Sequence, residues 1–490
     1  MDNLRKFIIL LLIIGFYIPA NAQKLSKELI YSTNIKDSLA YNLWLPDNWN
    51  KEQKYPVILM YNYGSVNDNL LASTVNYYAN HLRMIPNSIV VNVIVNMNQI
   101  GYNYETGNIT NSGKKLISCL REEVFPILHK KYNASSFISY IGQSYAASYG
   151  NYLFLNEPKL FSSYILIAPE KLGVGQPGFE LNNEVIHFYK ENPRSYYLAT
   201  GENDIERRIN YGKEIAVKVK VLDTTNFRFK YNHFSNADHN TLFAYVVPNA
   251  LEFLFDPYNR FLENDSKLSA YQNLVSIENH LNEYYGVNLE LNFKNYNSLL
   301  QDATSKKDTS SLVAIVKYFE NQRSKGQDLR NFAYFFQING LISLSYSYYQ
   351  KAIKKIQDNE INTKAGHQAL VTCYRELALN FNQDGPDKSW ELLQKALNDP
   401  FIHNPDMKYD LGKFSIEHNY RVEDGLNYLL SFAEDRSNQV DIISWPYRRI
   451  NLLIAKGYSL QNNTRKSKEY AQKVLKDDPK NTEALGLLQK

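Results

Sequence analysis

Three residue types that together perform acyl transfer occur in one order along the first half of this chain: Ser144, then Asp204, then His239. Ser144 lies in Ile141-Gly142-Gln143-Ser144-Tyr145-Ala146-Ala147, which follows the apolar run 137–140 and precedes a helical pattern over 148–155. Small residues around a serine permit a tight strand-to-helix turn that lifts the hydroxyl toward a base. A hydroxyl is a weak nucleophile until an imidazole takes its proton, and the imidazole needs a carboxylate to hold its tautomer and stabilise its charge. Asp204 and His239 are the expected acid and base; Glu202 and Asp238 are neighbouring acids, and His233 is a second histidine. A tetrahedral oxyanion needs two fixed donors. The expected ones are the backbone N–H groups of Tyr145 and of a residue near Gly64 or Ser65. Alone, G-x-S-x-A is a weak motif that an ordinary turn would explain. Its weight comes from the chain downstream.

These groups need a frame to bring them together. From about 24 to 258, short β-rich apolar runs alternate with helical patterns, which predicts a largely parallel sheet flanked by helices. The expected strands are 27–33, 39–44, 56–61, 89–95, 136–141, 164–168, 195–199 and 227–231. The clearest helix spans 116–132, with Leu116, Leu120, Val124, Ile127 and Leu128 on one face, a stripe that reads as core. Parallel strands present functional groups at their carboxyl ends. Ser144, Asp204 and His239 each follow an expected strand.

Arg5 and Lys6 precede the apolar stretch 7–18 and the small residues Ala20-Asn21-Ala22, the pattern of a secretory signal peptide cleaved before Gln23. About a dozen apolar residues fall short of the roughly 20 that span a bilayer. Residues 1–22 therefore read as a leader, and the mature chain as secreted or periplasmic with no integral span. A length of 490 residues predicts more than one domain. The formal charge of +4 becomes +3 once Asp2, Arg5 and Lys6 leave with the leader, too weak a balance to predict nucleic acid or an anionic membrane as partner. Cys119 and Cys373 fall in different expected domains and read as buried free thiols. No His, Cys, Asp and Glu grouping has metal-ligand spacing, and no glycine-rich phosphate loop opens a helix, so neither metal nor cofactor is expected.

Segments away from the serine carry a further pattern. Residues 41–46 form a run ending in leucine-proline, 54–59 read Lys-Tyr-Pro-Val-Ile-Leu, and Pro86 precedes the buried run 89–91. A glutamate, a proline and a final tyrosine mark the helix 123–132; Pro158 to Pro169 follow the serine turn, and a closing helix 250–255 follows Asp238-His239-Asn240. Together these resemble the esterase branch of the α/β-hydrolases that includes siderophore esterases, formylglutathione hydrolase and the mycolyltransferases. The resemblance covers about 27–258. It implies an α/β-hydrolase fold and a serine esterase acting without a cofactor on a small-molecule or glycan ester: a siderophore lactone, an acylated carbohydrate or a small acyl ester. Departures fall in substrate-facing loops. Gln143 stands in place of the family's common histidine, Ala146 and Ala147 in place of glycines, and Asn62-Tyr63-Gly64 in place of leucine-aspartate-glycine. The family's arginine-aspartate-x-threonine-proline segment is not recognisable at 99–107, and 170–175 replaces an aromatic segment. An inactive hydrolase domain serving as a binding scaffold, and an acyltransferase using the same triad, are the competing expectations.

Asp256-Pro257 is the expected end of the hydrolase domain, 23–258, with linker and connecting helices over 259–310. From 311 to 490 the pattern is helical throughout. Tyr348, Tyr349, Ala352 and Ile353 form one amphipathic helix end; Trp390, Leu393, Ala396 and Leu397 form another, before Pro400. A third is Tyr470, Val474 and Leu475, before Pro479. These resemble degenerate tetratricopeptide units and predict an all-α solenoid of three to five helical hairpins. Such a region serves either as a protein-docking surface or as a cap on the hydrolase. Tyrosine is frequent, at 39 residues, and packing accounts for most of the excess.

Overall fold

The computed structural model describes residues 24–489 other than 48, 63–66, 97, 102, 104–105, 172–178, 225, 323, 382–384, 403, 405 and 438–448. The expected leader and Ser65 lie outside the described residues. The chain divides into two compact units, Met1–Leu268 with Gln272–Glu290, and Ser269–Tyr271 with Leu291–Lys490.

All eight expected strands form: β1 (Lys24–Ser32), β2 (Asp37–Leu45), β3 (Tyr55–Asn62), β4 (Ile89–Ile94), β5 (Ala134–Gln143), β6 (Ser163–Ile167), β7 (Arg194–Gly201) and β8 (Phe227–Phe234). They make one sheet in the order β1-β2-β4-β3-β5-β6-β7-β8. The pairs β1/β2 and β2/β4 are antiparallel and every pair from β4 to β8 is parallel. Helices on both faces of a parallel sheet bury its strands twice, so the central strands lack polar/apolar alternation. Val57 to Leu59, Ile89 to Val91 and Tyr164 to Ile167 are all buried. The register aligns the strand ends, with Gln143 beside Ile167, Ile167 beside Ala199, and Gly201 beside Phe234. The loops that leave them therefore share one edge.

The expected helix 116–132 is longer and irregular. α1 (Asn67–Tyr77) follows β3; α2 (Asn111–Cys119) and α3 (Phe125–Tyr132) then flank a π-helical turn at Leu120–Val124. Its apolar stripe, Leu116, Leu120, Val124 and Leu128, repeats every four residues and is fully buried. On a regular helix such a repeat drifts about 40° per turn. The wide turn, in which the Phe125 N–H bonds to the Leu120 carbonyl, absorbs part of that drift just before Pro126, which has no N–H to give.

α4 (Tyr145–Asn156) packs against the sheet, followed by α5 (Asn183–Glu191), α6 (Glu206–Val219) and α7 (Leu242–Phe261). Tyrosines fill this core, and some spend their hydroxyls on it: Tyr149 donates to the Gly113 carbonyl at 2.9 Å and Tyr189 to the Phe154 carbonyl at 2.7 Å. The expected break at Asp256-Pro257 does not end the helix, because α7 runs through Pro257 to Phe261. A proline leaves the carbonyl four residues earlier without its helical donor. Here that carbonyl, of Phe253, accepts from the Arg228 guanidinium instead. α8 (Ala270–Tyr285) follows, its Tyr285 buried against Phe137 and Phe255.

The second unit is all helical. Hairpins form from α9 (Phe293–Ser305) with α10 (Thr309–Glu320), α11 (Gly326–Ile338) with α12 (Ile342–Asn359), and α13 (Lys364–Glu376) with α14 (Gly385–Leu397). α15 (Asp406–Glu417) with α16 (Val422–Ser437) and α17 (Ile450–Leu460) with α18 (Thr464–Asp477) follow, and α19 (Thr482–Gln489) packs on α18. Asn292, Asp308, Thr363 and Asn463 cap four of these helices by accepting from the backbone N–H three residues on. Tyr348, Tyr349, Ala352, Trp390, Leu393 and Ala396 are buried between helices, as their spacing predicts. Cys119 and Cys373 are both free and buried, and burial pushes each thiol up to about 12. Among the described residues no helix is long and apolar enough to cross a membrane.

Candidate active site

β5 ends at Gln143 and α4 begins at Tyr145, so Ser144 alone turns the chain. Its φ of 58° and ψ of −121° lie outside the regions an L-residue favours, at a cost on the order of 1–3 kcal/mol. The surroundings enforce it. The Ser144 N–H donates to the Ile167 carbonyl at 2.8 Å, and the Tyr140 hydroxyl donates to the Ala146 carbonyl at 2.6 Å. A Cβ at Gly142 would stand 2.6 Å from the carbonyl carbon of Ala146, so this glycine is the one the turn requires. The family's other glycine is dispensable here, since Ala146 sits in the turn with 1% of its surface exposed.

Asp204 follows β7 and His239 follows β8. The two loops are drawn together by the Asn203 N–H, which donates to the Ala237 carbonyl at 3.0 Å. Gly201 permits this closeness, because a Cβ there would lie 2.4 Å from the Ala237 oxygen. The Asp204 side chain is 1% exposed and its Oδ2 lies 2.8 Å from His239 Nδ1. Burial alone would raise this carboxyl; hydrogen bonds from His239, Arg208 and the Ile205 N–H outweigh it and hold Asp204 below its ordinary range. His239 Nε2 has no hydrogen-bond partner among the described residues.

Gln143 ties the elbow to the histidine loop. Its Nε2 donates to the His239 carbonyl while its Oε1 accepts from Asn67 Nδ2 at 3.2 Å, so one carboxamide joins the elbow, the histidine loop and the start of α1. Ser144 Oγ makes no hydrogen bond to His239 among the described residues; in unliganded sites such bonds commonly form only when substrate is present. Tyr145 is the first residue of α4, where helix N–H groups and the helix dipole favour a developing negative charge.

The alternative residues pair with each other. His233 lies inside β8, with Nε2 against Glu202 and Nδ1 2.9 Å from Thr200 Oγ1. That hydrogen bond, the main cause, lowers the exposed Glu202 carboxyl. Asp238 turns back on its own loop, accepting from the N–H groups of Asn240 at 2.9 Å and Thr241 at 2.8 Å.

Sequence reasoning missed Gln143 as a tether and did not single out Arg208 or Glu170. Arg208 Nη1 is 2.9 Å from Asp204 Oδ1, and its Nη2 pairs with Glu170 Oε1. The spacing of four between Asp204 and Arg208 on the way into α6 was a readable signal. Glu170 had none, because only the β6 loop brings it near.

Residues 32–187 match the family described as "Putative esterase". The first unit has the fold of the α/β hydrolases, and within it residues 32–187 are similar to the esterases of that family. Among solved structures, an uncharacterised protein from Capnocytophaga ochracea is similar over 68% of this chain and 94% of its own, at 20% identity and a TM-score of 0.50. An IroE-like serine hydrolase from Shewanella oneidensis aligns over 61% and 99%, at 13% identity and a TM-score of 0.47. The siderophore hydrolase EstA from Aspergillus nidulans aligns over 49% and 96%, at 12% identity and a TM-score of 0.38. No curated protein matches the chain.

Proposed function

We propose that this protein is an exported serine esterase, with a catalytic unit at 23–258 and a helical-repeat unit at 311–490. Ser144 attacks the ester carbonyl as His239 Nε2 takes its proton; the alkoxide leaves with that proton, and water then releases the acyl group from Ser144 by the same route. Asp204 holds His239 with Nδ1 protonated and stabilises the imidazolium. The N–H groups of Tyr145 and Ser65 receive the oxyanion. The substrate is a small-molecule or glycan ester, such as a siderophore lactone, an acylated carbohydrate or a small acyl ester.

The observation that carries this reading is the Gln143 bridge. It ties the loop of a histidine already oriented by a buried aspartate to the elbow in which a serine is held in a strained turn. The test is hydrolysis of p-nitrophenyl acetate and butyrate by the mature chain and its Ser144→Ala variant, with fluorophosphonate labelling of the parent. Covalent label on Ser144 and a rate lost in the variant are expected. Equal rates for the two proteins would leave a binding scaffold in place of an enzyme.

A further inference from the structure

Arg208 stands in the site with no part in the acyl-transfer steps. Its side chain is 14% exposed, and its Nε is buried without a partner. Nη1 lies 2.9 Å from Asp204 Oδ1 and 3.2 Å from His239 Nδ1, while Nη2 engages Glu170. A guanidinium keeps its protons in proteins, so it faces Nδ1 only as a donor. When Nδ1 carries the proton that binds Asp204, donor faces donor. A fixed positive charge also lies beside the ring on which imidazolium charge would form.

Other groups around His239 set the balance. Asp204 attracts the imidazolium and Arg208 opposes it. Glu170, 19% exposed, neutralises part of Arg208; Arg207 reaches Glu170 from the rim at 3.5 Å, and Asp238 flanks the ring from its own loop. Gln143 adds a neutral contact to the His239 backbone. Glu170 is itself anchored to α4: its N–H donates to Ser148 Oγ at 2.7 Å, and Ser148 Oγ donates to the Glu170 carbonyl at 2.9 Å. The guanidinium is thus positioned from the same helix that begins at the elbow.

We propose that Arg208 is a positioning residue that orients the Asp204 carboxylate and opposes positive charge on the His239 ring, with Glu170 limiting the effect. The proposal rests on the serine esterase reading. It is tested by the pH profile of kcat/KM for p-nitrophenyl butyrate and by a histidine-selective NMR titration, with His239→Gln identifying the signal. Arg208→Met should move the acid limb and the His239 titration midpoint up by about one pH unit. Glu170→Gln leaves the cation less compensated and should move both down, by about half a unit. In the Arg208→Met background Glu170→Gln should move neither. Arg208→Lys keeps the charge and should stay close to the parent.

Shifts of the same sign in Arg208→Met and Glu170→Gln, or no shift in either, would overturn the proposal. Circular dichroism melts establish that each variant folds; if Arg208→Met does not, Glu170→Gln and Arg208→Lys carry the test. The titration needs no turnover. A Ser144→Ala variant as active as the parent would therefore remove the esterase reading while the titration still decides about Arg208.

Discussion

Among the described residues four histidines pair with a carboxylate, and they differ in what the other ring nitrogen does: His187 lies against Glu191 on the surface, and the other three pairs are more enclosed. Glu202–His233 and Asp204–His239 arise from the same two strand ends, yet His233 spends both nitrogens, on Thr200 and Glu202. In the helical unit, His367 sits 2.6 Å from Asp399 through Nδ1 and 2.6 Å from the Ile361 carbonyl through Nε2, with both side chains 4% exposed. Of these four, His239 alone keeps Nε2 unpartnered among the described residues, and its loop is tied to the residue before Ser144 through Gln143. A general base is defined by the nitrogen left open more than by the carboxylate behind it.

The strongest way to break this contrast is to substitute His239 and His233 in turn. Ser144→Ala or His239→Gln should lower kcat on p-nitrophenyl butyrate by about 10⁴–10⁶, and His233→Gln should leave it within a few-fold. Comparable losses at 233 and 239 would erase the distinction. The acids sharpen it next. Asp204→Asn should cost on the order of 10⁴ in kcat, since an amide holds the wrong tautomer, whereas Glu202→Gln should change little.

Smaller effects separate placement from chemistry. Gln143→Ala removes the tether and should reduce kcat roughly ten- to a hundredfold with little change in melting temperature, because a shift of about 1 Å at a reacting group is costly. His367→Ala should do the reverse. It leaves the Asp399 carboxylate buried without its partner, destabilising the helical unit by about 3 kcal/mol, and kcat should stay at the parent value. The least effect is in stability against pH. The Asp204 carboxyl is depressed by folding, so its contribution is complete above the ordinary carboxylate range and lost as pH falls through its lowered value. Asp204→Asn should flatten that acid-side decline in denaturation midpoints.

Much of the frame was readable because it is local. Runs such as Ile89 to Val91 and Tyr164 to Ile167 are apolar at consecutive positions, which only a doubly covered strand tolerates. The helical hairpins announced themselves through amphipathic ends such as Trp390, Leu393 and Ala396. Two details of the first unit's helices are set by tertiary structure. Pro257 reads as a stop, and Arg228, 29 residues earlier, supplies the donor that lets the helix continue. The four-residue stripe from Leu116 to Leu128 reads as one helix, and the structure holds a π turn within it at Leu120–Val124.

At the site, the sequence alone determined the identities and order of Ser144, Asp204 and His239 and their positions after strands, because strand pattern and turn chemistry are properties of neighbouring residues. Which acid serves which histidine was decided by the tertiary structure. Asp204 and Glu202 are two residues apart on one loop. The side chain of Asp204 is enclosed by His239, Arg208 and the loop backbone, while that of Glu202 faces solvent. Burial and partner geometry depend on contacts between segments 30 or more residues apart, such as Glu170 with Arg208. No local pattern encodes them.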